Sequence, residues 1–153
     1  MQPPPFQRFL DTYKDDVYRF LRAAVGPNGA DDCWQETWLA ALRAYPRLQN
    51  GANLKAWVLT IAHRKSIDYH RKVARDAIPI ETVPDAPSGD PEPAAGLWKS
   101  VRLLPPKQRT AVIYRYVNDL TYRDIGAAMN TSAEAARQNA HEGLKKLREE
   151  WSS

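Results

Sequence analysis

The chain has 153 residues, 43% of them hydrophobic, only seven glycines, and a net charge of +4 with a pI near 9.3. That makeup suits a helix-rich globular protein of one domain or two small ones, and its charge is compatible with a polyanionic partner. The lone Cys33 excludes an intramolecular disulfide, Met-Gln-Pro-Pro-Pro lacks the parts of a signal peptide, and no apolar run reaches membrane-spanning length. The expectation is a soluble, cytoplasmic protein without membrane insertion.

Pro3-Pro4-Pro5 cannot lie inside a helix, so the first helix is expected from Phe6. Phe9, Tyr13, Val17, Phe20, Leu21 and Ala24 keep helical spacing to about Val25. Gly26-Pro27-Asn28-Gly29 reads as a break. A second helix is expected from about Asp31 to Tyr45, with Trp34, Trp38, Ala41, Leu42 and Tyr45 on its apolar side. Asp31, Asp32 and Glu36 crowd its N-terminal half, where the helix dipole favours acids. A third helix follows from about Leu54 to Arg75 with Leu54, Trp57, Val58, Ile61 and Ala62 inward. Its second half is basic, and His63 and His70 are expected on the surface. Three such helices make a small bundle over residues 6–75.

Residues 76–96 hold five acids, five prolines and no base. The stretch reads as an extended linker that could reach about 70 Å. Twelve bases and seven acids precede it, and ten bases and six acids follow, so two basic blocks flank an acidic connector.

The C-terminal segment, 97–151, predicts four helices. The first spans about Leu97 to Leu104, and Pro106 suits the first position of the next, whose core side is read as Val112, Ile113, Tyr116 and Val117. Thr121 with Asp124 three residues on forms a capping-box-like start for the third. Asn130 tolerates the left-handed turn that ends it, and Thr131 or Ser132 caps the last helix. There Ala136, Ala140, Leu144 and Leu147 form a buried stripe, while Ser132, Arg137, Gln138, His141 and Lys145 face outward. This is a helix-turn-helix pattern whose second helix suits the major groove. An ordinary helical hairpin with a solvated polar face has the same pattern.

Four motifs in order resemble the sigma factors of bacterial RNA polymerase. Asp31-Asp32-Cys33-Trp34-Gln35-Glu36-Thr37-Trp38-Leu39 is similar to their "D-x-x-Q-E-T-F" signature, and Ala56-Trp57-Val58-Leu59-Thr60-Ile61-Ala62 with Asp68 and Arg71 to "A-W-L-x-x-I-A-x-N-x-x-x-D-x-x-R". Leu104-Pro105-Pro106-Lys107-Gln108-Arg109 resembles "L-P-x-x-x-R", and Leu120-Thr121-Tyr122-Arg123-Asp124-Ile125-Gly126 resembles "L-S-Y-x-E-I-A". The short linker in place of a middle domain points to the extracytoplasmic-function group, which keeps only region two and region four. Arg64 replaces the usual asparagine, and Ala135-Ala136-Arg137-Gln138-Asn139 differs from the frequent "T-V-K-S-R", implying a different upstream promoter sequence.

The resemblance implies an all-α protein of two helical domains joined by a flexible linker, cytoplasmic in a bacterium. It would bind core RNA polymerase, direct it to promoters and help open the DNA, itself catalysing nothing. Asp32, Gln35, Glu36 and Leu39 would meet the polymerase. Arg64, Lys65, Tyr69, Arg71, Lys72 and Arg75 would meet the −10 element, with Tyr69 stacking on an exposed base. Arg123, Ser132, Arg137, Gln138 and His141 would meet the −35 element. The acidic linker would thread the RNA-exit path, and an anti-sigma factor is an expected partner. Taken without the resemblance, Asp32 with Glu36 is equally a solvated helix start, and the basic run a solvated face. Cys33 and the three histidines have no metal-ligand spacing, and no phosphate loop or nucleophile motif is present, so neither metal nor cofactor is expected. The rival function is a stand-alone helix-turn-helix regulator, which would need a dimer surface to read a paired site.

Overall fold

The computed structural model describes residues 3–48, 52–77 and 95–152. Most of the linker stretch therefore lies outside the described residues. Seven α-helices and no strand occur among those described: α1 (Phe6–Val25), α2 (Pro27–Ala44), α3 (Leu54–Arg75), α4 (Ala95–Leu103), α5 (Pro106–Tyr116), α6 (Tyr122–Ala128) and α7 (Ala133–Ser152). One 3-10 turn, Tyr45–Arg47, follows α2.

Helices α1, α2 and α3 pack mutually, closed at one end by aromatic rings. Phe9 stacks on Tyr45 at 5.3 Å and meets Trp38 edge-on at the same centroid distance. The expected four-residue break after α1 is narrower than the sequence suggests. Only Gly26 breaks the chain, at φ 86°, and Pro27 already occupies the first turn of α2, where its missing N–H costs nothing. Asp31 and Asp32 thus sit beyond that first turn. Asn53 caps α3 by accepting from the Ala56 N–H.

In the C-terminal half α5 packs on α7, and α6 on α7. Gly143 lets α5 and α7 approach closely, since a Cβ there would lie 2.7 Å from Val112. Gly126 does the same within the helix-turn-helix, where a Cβ would meet the Thr131 carbonyl at 2.8 Å.

The two halves are docked on each other. Helix α1 meets α4 and α5, α3 meets α6, and the buried apolar residues of both halves form one contiguous core. Tyr114 is fully buried at the seam, stacked on Phe20 at 4.8 Å. Asn118, buried in the loop after α5, donates to the Asp16 carbonyl at 2.9 Å, and Lys55 donates to the Asn118 carbonyl at 3.0 Å. Arg102 donates to the carbonyls of Arg22 and Ala23, at the C-terminal end of α1, where the helix dipole favours a cation.

Docking accounts for several departures from the sequence reading. Tyr116, expected inward, is 53% exposed, and Tyr114 takes the buried role. Helix α5 buries two faces, one on α7 and one on the N-terminal helices, so its single-stripe reading selected the wrong tyrosine. His63 and His70 are not surface members of α3. His63 bonds Thr110 of α5, and His70 bonds the Ala24 carbonyl. Leu42, expected inward, is 51% exposed, because it lies on an α2 face that no other described helix covers.

Candidate nucleic-acid interface

Helix α3 carries the basic run, and its winding divides that run between two faces. On one side a groove of about 870 Å³ opens between α2 and α3, with Asp32, Gln35, Glu36 and Leu39 along one wall. Tyr69 and Lys72 form part of the other wall. The four residues expected to meet the polymerase are thus together, joined by two expected to meet DNA. The Tyr69 ring lies against α2 where Gly29 leaves room, for a Cβ at Gly29 would come within 2.5 Å of it. Leu39, Leu42 and Val73 stand about half exposed on the two helices, an unusual apolar content for a surface otherwise this charged.

Cys33 lies beneath this groove. Burial, reinforced by the carboxylates of Glu36 and Asp32, pushes its thiol up to about 11, which leaves it protonated and unreactive at neutral pH. Tyr69 is raised for the same first reason, burial.

On the opposite side of α3, Arg71 turns toward the C-terminal half. It lines a second cleft, of about 640 Å³, together with His63 and His70. Burial, with the charges of Arg109 and Arg64 nearby, pulls His63 down to about 4, so its ring is neutral at physiological pH. Arg64 and Arg75 are exposed, and Lys65 is half-buried. Arg75 pairs with Asp76 at 3.5 Å, with both side chains open to water.

The helix-turn-helix follows from local chemistry. Thr121 accepts from the Asp124 N–H at 3.1 Å and starts α6. Asn130 takes the left-handed conformation, φ 56°, and Ser132 accepts from the Ala135 N–H at 3.0 Å to start α7. Ala136, Ala140 and Leu147 are buried, so Arg137, Gln138, His141 and Lys145 are presented to solvent along the other side. Arg123 is exposed on α6. Arg137 pairs with Glu134 at 3.5 Å, and Gln138 donates to Glu142 at 2.9 Å. Both base-reading candidates are thereby held by acids of their own helix. Tyr122 is capped on one face by the Arg115 guanidinium at 4.6 Å and meets His141 edge-on at 6.3 Å. Residues 9–76 match Sigma-70 region 2, and residues 96–147 match Sigma-70 region 4.

The chain belongs to the sigma-70 family. The ECF RNA polymerase sigma factor SigD of Mycobacterium tuberculosis is 36% identical over 92% of this chain and 74% of its own length. RNA polymerase sigma factor CarQ of Myxococcus xanthus is 32% identical over 94% of this chain and 87% of its own. In fold, the sigma-70 chain resembles the sigma factor RpoE of Bartonella quintana, solved with the anti-sigma factor NepR. That match has a TM-score of 0.77 and 23% identity over 94% of both chains. CnrH, solved with the cytosolic domain of CnrY, gives a TM-score of 0.72 at 15% identity over 96% of this chain and 87% of that one.

Two parts of this sigma-70 chain's surface were missed by sequence reasoning. The exposed Leu42 and Val73 beside the groove residues Asp32, Gln35, Glu36 and Leu39 had a signal, since Leu42 lies one turn from Leu39 on α2. The clustering of His63, His70 and Arg71 with Lys107 and Arg109 had none, because docking joins residues far apart in sequence. Among the described residues no group of histidine, cysteine and carboxylate side chains could hold a metal, and no helix is long and apolar enough to cross a membrane.

Proposed function

We propose that the chain is a promoter-specificity subunit of bacterial RNA polymerase, of the extracytoplasmic-function type. One observation carries this reading: region 2 and region 4 follow one another on a single chain, each with exposed basic side chains. The α2–α3 groove is the docking surface for core polymerase, with Asp32, Gln35 and Glu36 as polar contacts and Leu39, Leu42 and Val73 as apolar ones. Arg64, Lys65, Arg71, Lys72 and Arg75 hold phosphates around the −10 element and assist its opening, where charge rather than base identity matters. Arg137 and Gln138, in the first turns of α7, read base edges of the −35 element. Arg grips guanine and Gln adenine through paired hydrogen bonds. Ser132 and Arg123 position the helix on flanking phosphates, and His141 lies one turn further along the same face. An anti-sigma factor is a further partner, as in the complexes solved for proteins of similar fold.

Run-off transcription with purified core polymerase tests the proposal. Promoter-dependent transcripts should appear only when this chain is added. Binding to promoter DNA by the chain alone, with no effect on core polymerase, would favour an independent regulator instead.

A further inference from the structure

The cleft between the two halves concentrates positive charge to a degree that neither interface above explains. His63, His70 and Arg71 of α3 form one wall, and Lys107 and Arg109 of α5 form the facing one. Asn130 and Thr131 of the helix-turn-helix turn, with Asn139 of α7, close the end with polar groups. Among the described residues no carboxylate lines it.

Arg109 is the decisive residue. It is only 7% exposed, and its guanidinium donates at 3.0 Å to the Arg102 carbonyl, a neutral acceptor. A buried guanidinium has five donors and is costly to desolvate without an anion. Burial accordingly disfavours its charge. Burial, helped by the same guanidinium and Arg64, keeps His63 neutral. The cleft is thus built for negative charge, and its described lining supplies none.

We propose that this cleft binds a compact polyphosphate anion, and that the ligand, touching both halves, holds them docked. Its volume of about 640 Å³ suits a nucleotide-sized ligand. Arg71 and Lys107 reach it from opposite walls, Arg109 offers a fork from beneath, and Thr131 and Asn130 donate from the turn. Such docking opposes promoter reading. Elements 25 base pairs apart lie about 85 Å apart along B-DNA, at 3.4 Å per pair. Arg71 of the −10 surface and Asn139 of the −35 helix line one cleft, so the docked chain cannot span both elements. This regulatory consequence rests on the function proposed above; the binding itself does not.

The test uses the full chain with inorganic tripolyphosphate, and with guanosine triphosphate in a second arm, both without magnesium. Calorimetry should give one site, and the His63 ring titration, followed by NMR, should move upward by a unit or more on saturation. Lys107→Gln and Arg71→Gln should each weaken binding about tenfold, as expected for losing a charge-assisted hydrogen bond. Lys146→Gln, exposed on the outer side of α7, should leave it unchanged. Equal affinity in the two arms supports a site read through phosphates alone, and tighter guanosine triphosphate binding supports a nucleotide site. Absence of binding in both arms, an unmoved His63 titration, or equal weakening by all three substitutions would overturn the proposal. Binding that holds while run-off transcription stays absent would refute the function and leave the site standing.

Discussion

The hydroxyl of Tyr114 donates to the backbone carbonyl of Leu59, joining the last turn of α5 to the second turn of α3. Its ring is stacked on Phe20 at the same point. One side chain therefore contributes an aromatic contact and a hydrogen bond to the seam, and its hydroxyl proton is held well above the usual tyrosine range by burial.

Tyr114→Phe should keep the halves docked, at a cost of about 1 kcal/mol for one lost hydrogen bond. Tyr114→Ala removes the ring and should cost about 3–5 kcal/mol. Donor and acceptor dyes on cysteines introduced by Asp31→Cys and Lys146→Cys report the distance between the halves, since the buried native Cys33 resists labelling. The alanine variant should show a longer and broader distance distribution, the phenylalanine variant a nearly native one. An unchanged distribution for Tyr114→Ala would show that the seam does not depend on this ring.

Acid should loosen the same seam. His63 is held down to about 4 by burial and by Arg109 and Arg64, against an ordinary value near 6.5 in the undocked or unfolded chain. His70, depressed mainly by burial, acts in the same direction. Between these limits the open state binds more protons, so stability rises with pH. The contribution is complete above about pH 6.5 and is lost as pH falls toward 4, up to about 3 kcal/mol for His63. Urea unfolding at pH 7.5 and pH 5 should show the loss, and His63→Gln should reduce it. A wild-type midpoint independent of pH over that range would contradict the neutral ring.

Polymerase affinity should respond to the groove and not to the fold. Asp32, Gln35 and Glu36 are exposed, and none belongs to the buried core. Gln35→Ala with Glu36→Ala should therefore leave the helical circular dichroism intact while weakening binding to core polymerase. Unchanged affinity in that double variant would remove the groove from the docking surface.

The two DNA contacts should separate by their salt dependence. Arg137→Ala should relax preference at one −35 position, by about 1–3 kcal/mol, with little change in salt slope. Arg71→Ala with Lys72→Ala should weaken binding to all promoters and flatten the slope of log affinity against log salt by up to about two. Because Glu134 lies against Arg137 at 3.5 Å, Glu134→Ala should strengthen binding modestly by freeing the guanidinium. Holoenzyme binding to a promoter library at several salt concentrations measures all three. Uniform weakening across sequences by Arg137→Ala would make the arginine a phosphate clamp.

Local chemistry made much of this legible beforehand. The limits of α1, Pro106 at the start of α5, the Thr121 cap and the left-handed Asn130 all follow from neighbouring residues, and the structure has each. What the sequence hid was long-range. Phe20 falls on the α1 stripe, Leu59 and Tyr114 on none of those read for their helices, and nothing in their spacing says that they meet. For the same reason His63 and His70 read as surface residues of a basic helix. Periodicity assigns one buried face to a helix, whereas α5 has two. Tyr69 shows a related limit: composition places it in a basic run, but the space at Gly29 turns it toward α2 and away from Arg71.

Helix α7 keeps its structural and its exposed residues on opposite sides. Ala136, Ala140 and Leu147 are locked into the core, with Gly126 and Gly143 fixing how closely its neighbours approach. Arg137, Gln138 and His141 are exposed, and substitutions at exposed positions usually change stability by no more than about 0.5 kcal/mol. On the −35 reading proposed above, the chain can be retargeted: its set of controlled genes can drift in evolution, or be rewritten by design, through three outward side chains, without approaching the stability threshold that limits most other changes.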